Sequence, residues 1–233
     1  MKNTLLLERI SKVYKRIAHA AMRAGRDPGD VKLIAVTKTV SIEQIREAID
    51  AGLRTFGENR VQEAQKKVSC DSLRVANGRI KWHRIGHLQK NKAKYAVQLF
   101  DLIHSVDSEE LAREINRNAE KVGKVQDVLV EVKLSHEETK HGVSRRGLPG
   151  LLRTIKDLNH LNLRGLMTVP PFFDDPKEAR PYFRELRELR DRAAAEGFDL
   201  PELSMGMSGD FETAIEEGAT MVRVGTAIFG ERK

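Results

Sequence analysis

The chain has 233 residues, 40% of them hydrophobic and 32% charged, with a net charge of +7 and one cysteine, Cys70. This composition excludes a disulfide framework and a cysteine metal cluster, and no run approaches the ~20 consecutive apolar residues of a membrane span. The positive balance favours anionic partners, with a solvated helix surface as the alternative. No zinc-finger spacing, aromatic RNA-binding strand or basic heptad accompanies it, so nucleic acid is not expected.

The first segment, MKNTLLLERISKVYKRIAHAAMRAG, puts Leu6, Ile10, Val13, Tyr14 and Ile17 on one helical face, closed by Gly25 and Pro28. Charges interrupt its apolar positions, so it is expected to be an amphipathic helix and no secretion signal, which fits a reducing, cytoplasmic setting. Apolar, β-branched runs then recur at 32–38, 54–59, 80–86, 102–107, 127–134, 163–169, 202–208 and 221–230. Helical patterns separate most of them. SIEQIREAIDAG carries a Ser cap and a Gly stop, and DSEELAREINRNAEKVG opens on an acidic turn. PKEARPYFRELRELRDRAAAEG holds Pro181 near its start, where a break is expected. The polar stretch SCDSLRVANGR reads as a variable loop.

Strict β–α alternation implies parallel strands joined by helical crossovers. Eight units in a chain of this length predict a closed (β/α)₈ TIM-type barrel, one domain over 1–233, with the N-terminal helix as an extra outer element. The rival is an open doubly wound sheet, which favours a Gly-rich turn after its first strand. Here that strand is followed by Thr39 and no glycine.

In such barrels chemistry gathers at the carboxyl ends of the strands. Lys38 ends the first strand, LIAVTK, and shares a face with Ile34 and Val36. A desolvated amine there would be nucleophilic, as a Schiff-base lysine must be. The alternative is a rim lysine, solvated or paired with Glu58 or Asp107. After strands seven and eight stand Ser208 and Gly225–Thr226, where this fold recurrently cradles phosphate; the alternative is a tight turn. Arg223, inside the apolar run MVRVG, reads as a ligand acceptor or as half of a structural ion pair. An amine nucleophile, a phosphate cradle and an arginine together suit pyridoxal 5′-phosphate (PLP), with Arg223 against the ring nitrogen. Of the histidines nearest the mouth, His83 is expected to pack in the barrel and His141 to lie on a mobile loop after strand five. No metal site is expected.

The motifs AVTK, FGENRVQEAQKK, WHRIGHLQKNK, HGV, LRGLMTVPP and SMGMSGDFETAIEEGATMVRVGTAIFGER occur in that order over nearly the whole chain. In them the sequence resembles the YggS/PROSC family of pyridoxal phosphate homeostasis proteins. The resemblance implies a fold-type III, PLP-binding barrel like the alanine racemase N-terminal domain. It implies PLP as a Schiff base on Lys38, phosphate contacts from Ser208, Gly225 and Thr226, and a ring-nitrogen contact from Arg223. It also brings in Asn59, from the GEN motif, and Met207 near the cofactor. The function implied is holding, buffering or delivering PLP, with PLP-dependent apo-enzymes as partners, no catalytic residues, and a monomer or weak dimer. A small amino-acid racemase is the alternative. It would need a second acid/base opposite Lys38, and the chain ends three residues after IFG, so no second domain is expected to supply one. Tyr14, Tyr95 and Tyr182 all fall in helical patterns.

Overall fold

The computed structural model describes residues 2–70, 73, 80–135, 137 and 140–231, so most of the polar stretch at 69–79 lies outside the described residues. The chain opens with α1 (Lys2–Arg23), followed by β1 (Lys32–Val36), α2 (Ile42–Asp50), β2 (Thr55–Glu58) and α3 (Val61–Val68). Next come β3 (Lys81–Arg84), α4 (Ala93–Leu99), β4 (Leu102–Val106), α5 (Glu109–Lys121) and β5 (Gln126–Lys133). The remainder is β6 (Val143–Ser144), α6 (Leu148–Lys156), β7 (Leu161–Met167), α7 (Arg180–Ala195), β8 (Glu202–Ser204), α8 (Phe211–Glu216), β9 (Met221–Val224) and α9 (Thr226–Phe229). Ser41 and Ser108 cap α2 and α5 by accepting from the N–H groups of Gln44 and Leu111.

Every strand pairing is parallel, in the order β4-β3-β2-β1-β9-β8-β7-β5, and β4 also pairs with β5. That last pairing closes an eight-stranded barrel, as expected. The two-residue β6, not foreseen, adds to the edge of β5 beyond the ring. Helix α1 packs on α8 and α9, and Arg16 holds it there through Glu212 at 2.7 Å and over the Phe211 ring.

The expected strands are all present, yet several stop early. β8 ends at Ser204, not 208, and β9 ends at Val224, not 230, giving way to the short helix α9. Lys38 lies two residues past β1, in a turn. The backbone explains these ends. Thr39 has φ 63° and Gly206 φ 92°, values a strand cannot hold. A Cβ at Gly206 would also stand 2.6 Å from the Ala214 Cβ. The long helical pattern at 176–197 does break near Pro181. A 3₁₀ turn (Pro176–Ala179) leads into α7, and Pro181 sits in the first helical turn, where a missing N–H costs nothing.

Apolar side chains form two layers. The larger fills the space between strands and helices. The smaller joins Ile34, Leu102, Leu129, Met167 and Met221, one from each of five strands, which can meet only inside the ring. Close approach of β7 and β8 depends on Gly165, where an added Cβ would lie 1.9 Å from the Glu202 carbonyl oxygen. Gly165→Ala is therefore expected to cost more than ~4 kcal/mol, the range of exceptional single substitutions, because only backbone can yield. Urea denaturation checks this, and an unchanged midpoint would refute the contact.

Candidate functional site

At the carboxyl end of the barrel lies a cavity of about 630 Å³, within the usual size range for small-ligand sites. Its wall includes all seven residues singled out from the sequence: Lys38, Asn59, Met207, Ser208, Arg223, Gly225 and Thr226. Val36 lines it too, while Ile34 two residues earlier is buried in the inner cluster, so the face shared by Ile34, Val36 and Lys38 runs up the barrel into the cavity. Glu58 pairs with Lys67 at 2.7 Å, and Asp107 meets His87 Nδ1 at 3.2 Å.

The loops after β8 and β9 are tied by one hydroxyl. Ser208 Oγ accepts from the Gly225 N–H at 3.1 Å and the Ala227 N–H at 3.4 Å. An added Cβ at Gly225 would come within 3.3 Å of Val36 Cβ, so a larger residue would crowd the cradle. Ser208 retains its own O–H to donate, and Thr226 stands exposed beside it. Met207 is on the rim, its N–H donating to Asp210 Oδ1 at 2.6 Å.

Arg223 is 4% exposed. Its guanidinium donates to Ser204 Oγ at 2.7 Å and to the Thr168 carbonyl at 2.9 Å, using two of its five N–H groups. Below it runs a buried polar chain: Ser204 Oγ to His104 Nδ1 at 2.9 Å, and His104 Nε2 to His83 Nδ1 at 3.0 Å. Across the His104–His83 contact one ring must donate and the other accept, so at least one of the two facing nitrogens carries no proton. Burial pushes His83 down to about 4, and burial, His83 and Arg223 hold His104 well below its ordinary value. Burial lowers Arg223 to about 10, against Asp210 and Glu131, so it stays cationic at neutral pH.

Glu131 was missed in the sequence. It is 7% exposed, lines the cavity, and its Oε2 has no hydrogen-bond partner. The missing signal was available: an acid within the apolar run VLVEVKL is the same anomaly that singled out Arg223 in MVRVG. Asn59 Oδ1 is likewise buried without a partner. Orphaned polar atoms facing a cavity are a mark of ligand contact. Arg84, also overlooked, braces the loops after β2 and β3 by donating to the carbonyls of Asn59 and His87. His83 packs inside the barrel as expected. His141 does reach the mouth, and its ring stacks on His87 at 3.7 Å between centroids. Among the described residues His87, Asp107 and His141 are the one group able to hold a metal ion, though the face-to-face stack points their nitrogens along parallel planes.

Residues 9–233 match the family described as alanine racemase, N-terminal domain. The pyridoxal phosphate homeostasis protein of Aquifex aeolicus is 51% identical over 227 residues, 97% of this chain and 98% of that one. The chain belongs to the pyridoxal phosphate homeostasis protein family. Among solved structures, PipY of Synechococcus elongatus with PLP bound is similar, at 38% identity and TM-score 0.83 over 97% of this chain and all of that one. A protein of unknown function from Bifidobacterium adolescentis is 42% identical with TM-score 0.88, over 97% and 95% of the two chains. Membership in the homeostasis family accords with the barrel and with the position of its cavity.

Burial and then the nearby Asp107 push Glu131 up from 4.5 to about 7, with Arg223, Arg84 and Lys140 opposing. Between those values the folded protein holds a proton that the unfolded chain has released, so stability falls as pH rises through that window and is level above it. The span corresponds to roughly 3 kcal/mol at most. Glu131→Gln is expected to match the parent protein near pH 4 and exceed it in urea resistance near pH 8. Equal midpoints at both pH values would show that Glu131 ionises normally.

Proposed function

We propose that the chain binds PLP reversibly as a Schiff base on Lys38 and buffers or delivers it, without catalysing a reaction of its own. One observation carries this reading: a single cavity gathers the Lys38 amine, the Ser208–Gly225–Thr226 cradle and the buried Arg223. Those are the chemical complements of an aldehyde, a phosphate and a ring nitrogen. Bound there, PLP would supply a carbonyl able to link reversibly to an amine. Thr226 begins α9, so its N–H, with the Ser208 hydroxyl, is a donor suited to a phosphate, while the Gly225 N–H is taken by Ser208 Oγ. Arg223, held as a donor by its own cation and by neutral partners below it, would leave the ring nitrogen unprotonated and the cofactor a weak electron sink. Asn59 and Met207 would border the ring.

The geometry offers no support for a racemase that uses a tyrosine as its second acid/base. Among the described residues no tyrosine lines the cavity to act opposite Lys38. Tyr14 is on α1, Tyr95 on α4, and Tyr182 packs against Phe173. We read the chain as one domain over 1–233, a monomer or weak dimer, working in the cytoplasm with PLP-dependent apo-enzymes as recipients. The lone Cys70 suits a reducing compartment, and no described helix is long and apolar enough to cross a membrane.

The purified protein is expected to take up PLP with a visible absorption band, and borohydride reduction should leave the pyridoxyl mass on the Lys38 peptide. Lys38→Ala should lose the band while circular dichroism stays unchanged, and a band of parental intensity in that variant would sink the assignment. In D₂O the loaded protein is expected not to exchange the α-hydrogen of alanine, and deuterium incorporation would overturn the non-catalytic reading.

A further inference from the structure

Helix α3 carries a lysine that ordinary helix chemistry does not explain. Glu63 and Lys67 are spaced i,i+4, which usually marks a solvated surface pair worth a few tenths of a kcal/mol. Here Lys67 is 5% exposed, and its ammonium has three partners: Glu58 Oε1 at 2.7 Å, Glu63 Oε1 at 2.7 Å and the backbone carbonyl of Thr37 at 2.6 Å. An ammonium has three N–H donors, and all three are spent. The Thr37 hydroxyl adds a bond to the same Glu58 oxygen at 2.6 Å, and Glu63 Oε1 accepts the N–H of Thr39 at 2.6 Å. The cluster thus grips Thr37 on one side of Lys38 and Thr39 on the other.

The gripped segment is a strained one. The Val40 N–H bonds to the Thr37 carbonyl at 2.9 Å, closing a turn in which Lys38 and Thr39 are the central residues. Thr39 occupies φ 63°, the third position of a turn that normally takes glycine or asparagine. A β-branched residue is disfavoured there by roughly 1–2 kcal/mol, and its exposed side chain offers no compensating burial. What opposes relaxation is the pair of charged hydrogen bonds from Glu63 and Lys67. Glu63 is held below its ordinary carboxylate range: burial, which raises it, is outweighed by the hydrogen bonds from Lys67 and the Thr39 N–H.

We propose that Glu58, Glu63 and Lys67 form a buried ionic clamp whose role is to hold the Lys38 turn, making Glu63 and Lys67 positioning residues for covalent capture of the cofactor. The proposal rests on Lys38 being the linking amine. Forming that link joins Nζ to the aldehyde carbon as a C=N bond and releases the oxygen as water. Its rate depends on where the turn presents Nζ, whereas binding of the phosphate and ring does not. Clamp loss should therefore separate the two.

The test uses Glu63→Ala, which removes the Thr39 tether from a quarter-exposed side chain and leaves the Glu58–Lys67 pair in place, with Lys67→Met as the stronger variant and Glu63→Gln, which keeps an acceptor, as the conservative one. In cofactor-free protein the Thr39 amide is expected to exchange about tenfold faster in Glu63→Ala and Lys67→Met. Their covalent uptake of PLP should slow by about 10- to 100-fold, while affinity for pyridoxine 5′-phosphate, which has no aldehyde, stays within about threefold. Glu63→Gln should remain near the parent. Unchanged uptake in Glu63→Ala, or an equal loss of both ligands, would overturn the clamp and leave Lys67 a structural ion pair. If the parent protein takes up neither ligand, the functional reading fails, and Thr39 exchange still decides whether the clamp holds the turn.

Discussion

Closure of the ring is the constraint on which everything else hangs. Once β4 pairs with β5, alternate residues of eight strands must point at one another across a shared interior. Ile34, Leu102, Leu129, Met167 and Met221 fill part of that space with apolar side chains. The rest receives His83, His104, Ser204, Glu131 and Arg223, all nine-tenths buried or more. An open sheet could send such groups to solvent at an edge. A closed one forces them to satisfy each other, and the side-chain chemistry at the cavity floor follows from that.

The interior solves its charge problem by direction. Arg223 brings a cation into a low-dielectric space, where an isolated charge is untenable. It donates to Ser204, which is hydrogen-bonded in turn to His104 and then His83, and burial holds both imidazoles below their ordinary range, so no second cation competes with it. Above it stands Glu131, whose orphaned oxygen and raised protonation range leave the cavity with a carboxyl that is charged in only part of the molecules at neutral pH. The floor therefore presents a fixed donor and an adjustable acceptor. That pairing suits an anionic, ring-bearing ligand.

How much of this was legible in the sequence follows from the same alternation. Lys38 and Arg223 were readable because each breaks an apolar run, and Ser208, Gly225 and Thr226 because this fold recurrently cradles phosphate after its last two strands. The eight strands were readable from their apolar, β-branched runs, and the outer α1 from its helical periodicity. Glu131 and His104 also break apolar runs, in VLVEVKL and LIHSV, but they sit within strand interiors, where a polar residue in sequence does not show whether it meets a cavity or a buried partner. Strand lengths were overestimated at β8 and β9; at β8 the cause is Gly206, whose positive φ the sequence pattern does not announce. Lys67 had no signal at all. In QEAQKK it reads as one more solvated lysine, and only three-dimensional closeness to Thr37 and Glu58 makes it otherwise.

The turn that bears Lys38 then explains why the lysine stands just past its strand. A residue inside β1 would have its backbone fixed by two neighbouring strands, and its side chain would take whatever direction the pleat imposes. Two residues further, direction is set by local contacts instead: a positive φ at Thr39, a turn bond from Val40, and the charged groups reaching over from α3. Rigidity of that kind can be adjusted without disturbing the barrel. Breaking a buried ion pair by removing one partner typically costs 3–5 kcal/mol, yet the exposed side of this cluster, Glu63, can change for far less. On the proposed role of Lys38 as the linking amine, a clamp with one partly exposed arm would let the strength of that link vary while the barrel stays fixed.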